Sequence, residues 1–340
     1  MTKRKIGLFG AGHLGKIHLK CILATEDWEL VGFYDPNDKN AEAAVAQFGV
    51  RRFKSVNSLL KKVDAVDIVT PTPEHFKLAS KAIRAGKHVF IEKPVTDTIR
   101  QGKKLLQLAA QFGVTVQVGH VERFNPAYLA LRDIPLNPMF IESHRLAAFQ
   151  PRGTEVSVIL DLMIHDLDLV LHLVQSPVKR VSASGVAVLS QTPDIANARV
   201  EFANGCVANL TASRISLKQM RKMRLFQQDA YISLDFLDKS TQIVRLFDQE
   251  DPNLPSLDNL MEFETPNAGK KWLHLEMPDT LPINAIQVEL ETFAECIRTN
   301  KTPAVSLKDG FEALRLAHRI LQEIDKRRAN SLPNRDGLGN

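Results

Sequence analysis

The chain has 340 residues, 44% hydrophobic and 24% charged, a balance that excludes a disordered or fibrous protein and leaves room for two domains. Net charge is only +5, and the basic clusters Lys3-Arg4-Lys5 and Lys326-Arg327-Arg328 carry no interleaved aromatics, so a nucleic-acid partner is not expected. No apolar run reaches the roughly eighteen residues of a membrane span, and Cys21, Cys206 and Cys296 lack the spacing of a disulfide frame or zinc site.

Taken in order, the first 119 residues alternate strand and helix. Strands read at Lys5–Phe9, Glu29–Tyr34, Val66–Val69, His88–Ile91 and Thr115–Val118. Helical patterns fall between them, at Leu14–Leu23, Lys39–Phe48, Glu74–Ala85 and Thr98–Phe112. Such alternation predicts a parallel sheet with helices on both faces. The apolar run Ile6–Phe9 is too short for a signal peptide and leads into Gly10, so it reads as the first strand of a cytoplasmic protein.

The pattern changes after Gly119. A short helix at Pro126–Arg132, a strand at Met139–Leu146 and a long helix at Val156–Val174 are expected. From Val178 to about Met277 strands dominate, with a hairpin at Asn204-Gly205. Helices at Ala285–Thr299 and Lys308–Lys326 close the chain. The expected class is α/β: a Rossmann domain over residues 1–122, then an α+β domain over 123–330 with a large, mostly antiparallel open sheet. A polar, flexible tail is expected at 331–340.

Gly10-Ala11-Gly12-His13-Leu14-Gly15 fits GxGxxG. It follows a strand and opens a helix, the context in which the pattern holds a dinucleotide pyrophosphate rather than a structural turn. Asp35 ends the second strand, where a carboxylate accepts ribose hydroxyls and repels a 2′-phosphate. No arginine follows at once, Lys39 being the nearest cation, so NAD is expected over NADP; capping a turn is the plainer use of Asp35. Thr70-Pro71-Thr72-Pro73 ends the third strand, either against the cofactor or as a helix start. Glu92-Lys93-Pro94 ends the fourth strand, so Lys93 is expected at the crevice beside nicotinamide and substrate.

Asp161, His165, Asp168 and His172 are spaced as one stripe on an otherwise apolar helix. Three uses compete: a metal site, short of ligands without help from elsewhere; a structural stripe satisfied by neighbours; or an acid/base site with His165 as the proton carrier and Asp161 beside it.

With these residues in view, the chain resembles the Gfo/Idh/MocA oxidoreductases, named for glucose-fructose oxidoreductase and inositol dehydrogenase. The matching pieces are Gly10–Gly15, Thr70–Pro73 with His75, Glu92-Lys93-Pro94, Arg123-Phe124-Asn125-Pro126 and Asp161-Leu162-Met163-Ile164-His165. Val118–Pro126 together with Val158–Asp166 is similar to the branch that includes UDP-N-acetylglucosamine 3-dehydrogenases. Many members have a glycine-rich lead into the catalytic helix, whereas this chain has Glu155-Val156-Ser157-Val158, which implies a narrower pocket floor.

The resemblance implies NAD-dependent hydride transfer at a secondary hydroxyl or ketone of a sugar, with a nucleotide sugar, a free sugar or an inositol as substrate. Lys93, Asp161 and His165 would be catalytic, without a metal, and the two domains would share one cavity. Gly10, Gly12, His13, Leu14, Gly15, Asp35, Thr70, Pro71, Thr72, His75, Glu92 and Lys93 would hold the cofactor. The family sheet commonly mediates dimers or tetramers, so a homo-oligomer is implied. The rival of another class is a cofactor-binding sensor without turnover. For a nucleotide sugar, Arg123, Arg145, Arg152, Arg214, Arg221, Lys222 and Arg224 are the cations available to a diphosphate.

Overall fold

The computed structural model describes residues 3–150, 156–248, 260–265 and 269–331. The chain divides into two compact units, Met1–Phe124 with Ile283–Arg315, and Asn125–Pro282 with Leu316–Asn340. The first is therefore discontinuous, whereas the sequence suggested one boundary near residue 122.

In the first unit, strands β1 (Arg4–Phe9), β2 (Trp28–Tyr34), β3 (Ala65–Ile68), β4 (His88–Glu92) and β5 (Val116–Gly119) form a parallel sheet in the order β2-β1-β3-β4-β5. Helices α1 (His13–Ala24), α2 (Asp38–Phe48), α3 (Val56–Leu60), α4 (Thr72–Arg84) and α5 (Ile99–Phe112) make the connections. The strand order reverses between β1 and β3, and ligands bind outside the carboxyl ends of strands at such a switch point. The residues emerging there are Gly10 and Thr70.

β3 and β5 are buried along their whole length, as in parallel strands covered on both faces. The sequence showed no element at α3, whose five residues are too few for a helical period; a Ser55–Ser58 capping box starts it. α4 begins at Thr72 with Pro71 as its cap residue, not with Thr72 as the cap.

A 3₁₀ turn at Val121–Phe124 and the short helix α6 (Pro126–Leu129) follow β5, and β6 (Phe140–Leu146) opens the large sheet. A π-helical turn at Ile159–Met163 runs into α7 (Ile164–Val174). Strands β7 (Val178–Val186), β8 (Ile195–Phe202), β9 (Val207–Ser213), β10 (Met220–Phe226), β11 (Ala230–Asp235), β12 (Ser240–Asp248), β13 (Leu260–Thr265) and β14 (Gly269–Glu276) complete it. The nine strands lie in the order β13-β14-β12-β11-β10-β6-β9-β8-β7. Only β6 and β9 pair in parallel; the other neighbours are antiparallel.

Burial alternates strictly along β6, β8 and β11, the signature of a sheet with one covered face. That face packs against Ile159, Met163, Leu167 and Val170 of the π turn and α7. The other face carries a row of aromatics, with Phe226 edge-on to Phe140 on one side and tilted against Tyr231 on the other, ring centroids 5.9 and 5.1 Å apart.

α8 (Ala285–Thr299) and the start of α9 (Leu307–Ser331) belong to the first unit. Leu290, Phe293, Ala294 and Ile297 join the core of Ile6, Leu8 and Trp28. Trp28 Nε1 donates to Leu290 O at 2.9 Å, and Gln117 Nε2 to Glu289 O at 2.7 Å. Beyond Arg315, Leu316, Ala317, Ile320 and Ile324 enter the core of the second unit. The tail expected at 331–340 lies, beyond Ser331, outside the described residues. No described helix is long and apolar enough to cross a membrane, and the three cysteines are free thiols.

Candidate active site

The glycine turn is shaped by what its residues cannot carry. Gly10 has φ 93°, and a Cβ on it would lie 2.6 Å from Val69 O. A Cβ on Gly15 would lie 1.9 Å from Gly10 O, so α1 passes too close to the turn for any side chain. A Cβ on Gly12 would meet nothing within 4 Å, so that side of the turn faces open space.

α1 starts with no side-chain cap and no acidic residue in its first turn, leaving its N–H groups and positive dipole end for an anion. His13 and Leu14 are exposed on that turn. A Gly12→Ala variant should therefore fold normally yet bind NAD at least ~10-fold more weakly, because the methyl occupies the approach of the pyrophosphate. Wild-type NAD affinity in a calorimetric titration of that variant would show the space is not used.

Asp35 is buried, and its carboxylate braces this turn. Oδ2 accepts from Ala11 N at 2.7 Å and Oδ1 from Asn37 N at 2.7 Å. Each oxygen keeps a lone pair for a ribose hydroxyl. Arg52 also reaches this turn: it donates to Asp35 O at 3.0 Å and pairs with Asp38 at 2.7 Å. Sequence reading missed it because β-bridge pairing with Phe33 brings it there from seventeen positions away.

Two residues expected at the cofactor are turned elsewhere. His75 is 1% exposed, with Nδ1 2.9 Å from Pro94 O and Nε2 2.8 Å from Thr70 O. Burial lowers its pKa, so the neutral ring donates to one carbonyl at a time and ties the two loops together. Glu92 points inward: Oε1 lies 3.3 Å from His18 Nε2, and Oε2 accepts from Lys93 N at 3.1 Å. Lys93 follows at the carboxyl end of β4 and is half-buried, as are Thr70 and Thr72, while Pro71 is exposed.

In the second unit, the π turn carries Asp161 and α7 opens with His165 one residue inside. π turns recur at functional sites because the extra residue re-aims side chains. Asp161 and His165 are both half-buried. The predicted four-residue stripe does not persist: Asp168 is 1% exposed, while His172 is exposed and its ring lies against Tyr128 at 6.3 Å. The surroundings change along the helix axis, which spacing alone does not report. The described groups that approach one another as metal ligands do are His18, Glu92 and Glu289, in the other unit.

The segment around Asp161 and His165 is clamped from both sides. Arg145 on β6 forms a buried fork with Asp166, at 2.8 Å from Nε and 2.9 Å from Nη2. Arg214 donates from Nη2 to Val156 O, and Val158 N donates to Pro193 O at 3.0 Å. Two cations offered to a diphosphate are thus committed to the protein. Arg224 pairs with Glu142 at 2.9 Å and Lys222 with Asp235 at 3.1 Å, while Arg152 lies outside the described residues.

Asp194 holds the loop between β7 and β8. It accepts from the N–H groups of Val188, Leu189 and Ser190 at 2.8, 2.7 and 3.0 Å, and from the Ser190 hydroxyl at 2.7 Å. Burial works against its charge, but the Ser190 hydroxyl and the three N–H groups hold its pKa at about 2. Its folded pKa is below the unfolded value of 3.8, so it stabilises above that pH and loses this as pH falls towards about 2. The contribution near neutrality is about 2 kcal/mol. Denaturant titrations of wild type and Asp194→Asn at neutral and acid pH should differ by that amount; parallel pH curves would contradict it.

A dinucleotide cradle at a sheet switch point, with a half-buried lysine at the adjoining strand end, defines a nicotinamide-dependent oxidoreductase. Residues 4–120 match the family model described as the oxidoreductase family with NAD-binding Rossmann fold, and residues 141–232 the GFO/IDH/MocA C-terminal domain. The chain belongs to this oxidoreductase family and is an NAD-binding enzyme. It is 37% identical to the UDP-N-acetylglucosamine 3-dehydrogenase of Acidithiobacillus ferrooxidans, over 91% of this chain and 96% of that one. A solved structure of that enzyme superposes with a TM-score of 0.85 at 34% identity, covering 96% of this chain and 99% of the other. The scyllo-inositol 2-dehydrogenase (NAD(+)) of Bacillus subtilis is 28% identical over 89% of this chain and 88% of its own.

Proposed function

We propose that the protein oxidises a secondary hydroxyl of a sugar, or reduces the matching ketone, and that a UDP-N-acetylhexosamine is its substrate. NAD supplies the hydride acceptor. The observation that carries this reading is the Asp161–His165 pair, held half-buried on a π turn and helix whose neighbours Val156, Val158 and Asp166 are all fixed by hydrogen bonds. A proton carrier needs such restraint. His165 takes the hydroxyl proton in the oxidative direction. Lys93 donates a hydrogen bond to that oxygen and favours its developing negative charge. Asp161 orients groups around His165.

The nucleotide-sugar assignment draws on the relative from Acidithiobacillus ferrooxidans, which matches over nearly its whole length. NAD is favoured over NADP because the Asp35 carboxylate sits on the glycine turn at the end of β2, and Arg52 is already paired with Asp38. A second reading, a free sugar or inositol, is favoured by one observation: Arg145 and Arg214, two cations a diphosphate would need, are spent internally. Cytoplasmic residence and a homodimer or homotetramer belong to the same proposal. The Phe140–Phe226–Tyr231 row on the open sheet face supports the oligomer.

The test follows NADH formation with UDP-N-acetylglucosamine, other UDP-sugars, free sugars and inositols. Turnover confined to free sugars or inositols would replace the first reading with the second. No turnover with any of them would end both. Sedimentation velocity gives the oligomer.

A further inference from the structure

The first unit holds four ionisable side chains that the proposed reaction does not use. His18, on the inward face of α1, is 0% exposed, as are Asp67 of β3 and Glu289 of α8; Glu92 of β4 is 7% exposed. His18 Nδ1 lies 2.8 Å from Asp67 Oδ2, and Nε2 lies 3.3 Å from Glu92 Oε1, at an ion-pair distance though off line for a hydrogen bond. Both ring nitrogens therefore face carboxylates. A neutral imidazole would turn a lone pair towards one of them, whereas an imidazolium presents N–H to both.

The rest of the surroundings agree. The Phe90 ring packs edge-on at 5.9 Å, and the remaining ionisable neighbours are Cys21 on the same helix and Glu289. Burial works against the His18 charge, but Asp67 and then Glu92 raise its pKa well above the ordinary value. Glu289 has no hydrogen-bond partner on either carboxyl oxygen. Burial, and then the Glu92 charge, push its pKa well up, so it enters the fold as the neutral acid.

Glu92 connects this cluster to the reaction. Its second oxygen receives the backbone N–H of Lys93 at 3.1 Å. Gly119 of β5 backs the first, for a Cβ there would lie 2.6 Å from Glu92 Oε1. The carboxylate is thus held between a cation, a glycine wall and the main chain it fixes.

We propose that His18 is a buried imidazolium and the positioning residue for Lys93, acting through the Glu92 carboxylate to fix the backbone from which Lys93 projects. The positioning half rests on the assignment of Lys93 under the proposed function; the charge state of His18 does not.

The experiment uses the NAD-loaded full chain labelled with ¹⁵N-histidine, the His18 signals being identified by their loss in His18→Gln. Both ring nitrogens should stay protonated at pH values where free histidine has lost its proton. A neutral tautomer at neutrality would overturn the proposal. So would a stoichiometric divalent metal in the purified holoenzyme, because His18, Glu92 and Glu289 would then be ligands.

In Asp67→Asn the ring should titrate at lower pH, and kcat should fall about 10-fold or more across that same titration while the KM for NAD moves less than ~threefold. Glu92→Gln, which keeps an acceptor for the Lys93 N–H, should show the same coincidence if Asp67→Asn does not fold. A ring titration that kcat ignores would overturn the positioning role. Should Lys93→Ala retain full activity, it is the reading of Lys93 that fails, and the ¹⁵N signals still decide the state of His18.

Discussion

Lys93→Ala is expected to lower kcat by about 10³-fold, the scale set by removing one preorganised donor to a developing oxyanion. NAD affinity should stay within ~threefold of wild type, because the pyrophosphate is held by the Gly10–Gly15 turn and not by this side chain. The two readouts separate chemistry from binding. Stopped-flow NADH formation gives the first and a fluorescence titration with NADH the second. A variant with full turnover would remove Lys93 from the mechanism. A variant that failed to bind cofactor would make it a binding residue.

The second large effect belongs to His165. Replacement by asparagine should cost about 10²- to 10⁴-fold in kcat, the usual span for a lost general base. It should also erase the acidic limb of the kcat/KM profile for oxidation, since only the unprotonated ring accepts the substrate proton. At high pH, where hydroxide competes as a base, part of the loss should return. A residual profile that kept its acidic limb would assign that ionisation to another group. The Lys93→Ala/His165→Asn double variant adds a further check. Groups serving one oxygen fail as a unit, so its loss should fall well short of the product of the single losses. Full multiplicativity would mean that they act in separate steps.

Much of this is legible in the sequence alone. Strand–helix alternation gave the parallel sheet, since its period shows wherever apolar residues face a core. The fingerprint gave the phosphate cradle, because the positive φ of Gly10 and the contact of Gly15 with Gly10 O are constraints that act within six residues. Asp161 and His165 stood out as polar groups on an apolar helix.

What stayed hidden depends on closure between distant segments. Asp67 is a charge inside a strand buried along its whole length, and its partner His18 lies 49 positions away. Glu92 looked like a cofactor ligand by its place beside Lys93, and only the rotamer turns it inward. Arg145 and Arg214 looked available because the carboxylate and the carbonyl that take them lie 21 and 58 positions off. α8 carried a clear helical period, but periodicity says which face is apolar and not which core receives it.

The discontinuity of the first unit sets an order on the biosynthesis of this protein. A nascent chain emerges from the ribosome with β1 to β5 complete, but the cover for Trp28, Ile6 and Leu8 is supplied by Leu290, Phe293 and Ile297. The Trp28 indole and the Gln117 amide then await carbonyls of residues 290 and 289. About half of the 340 residues are made in that interval. The cofactor-binding unit is begun first but closed only from across the second unit's sheet in sequence, so apolar surface around Trp28 stands open to chaperones until residues 290–297 have been made.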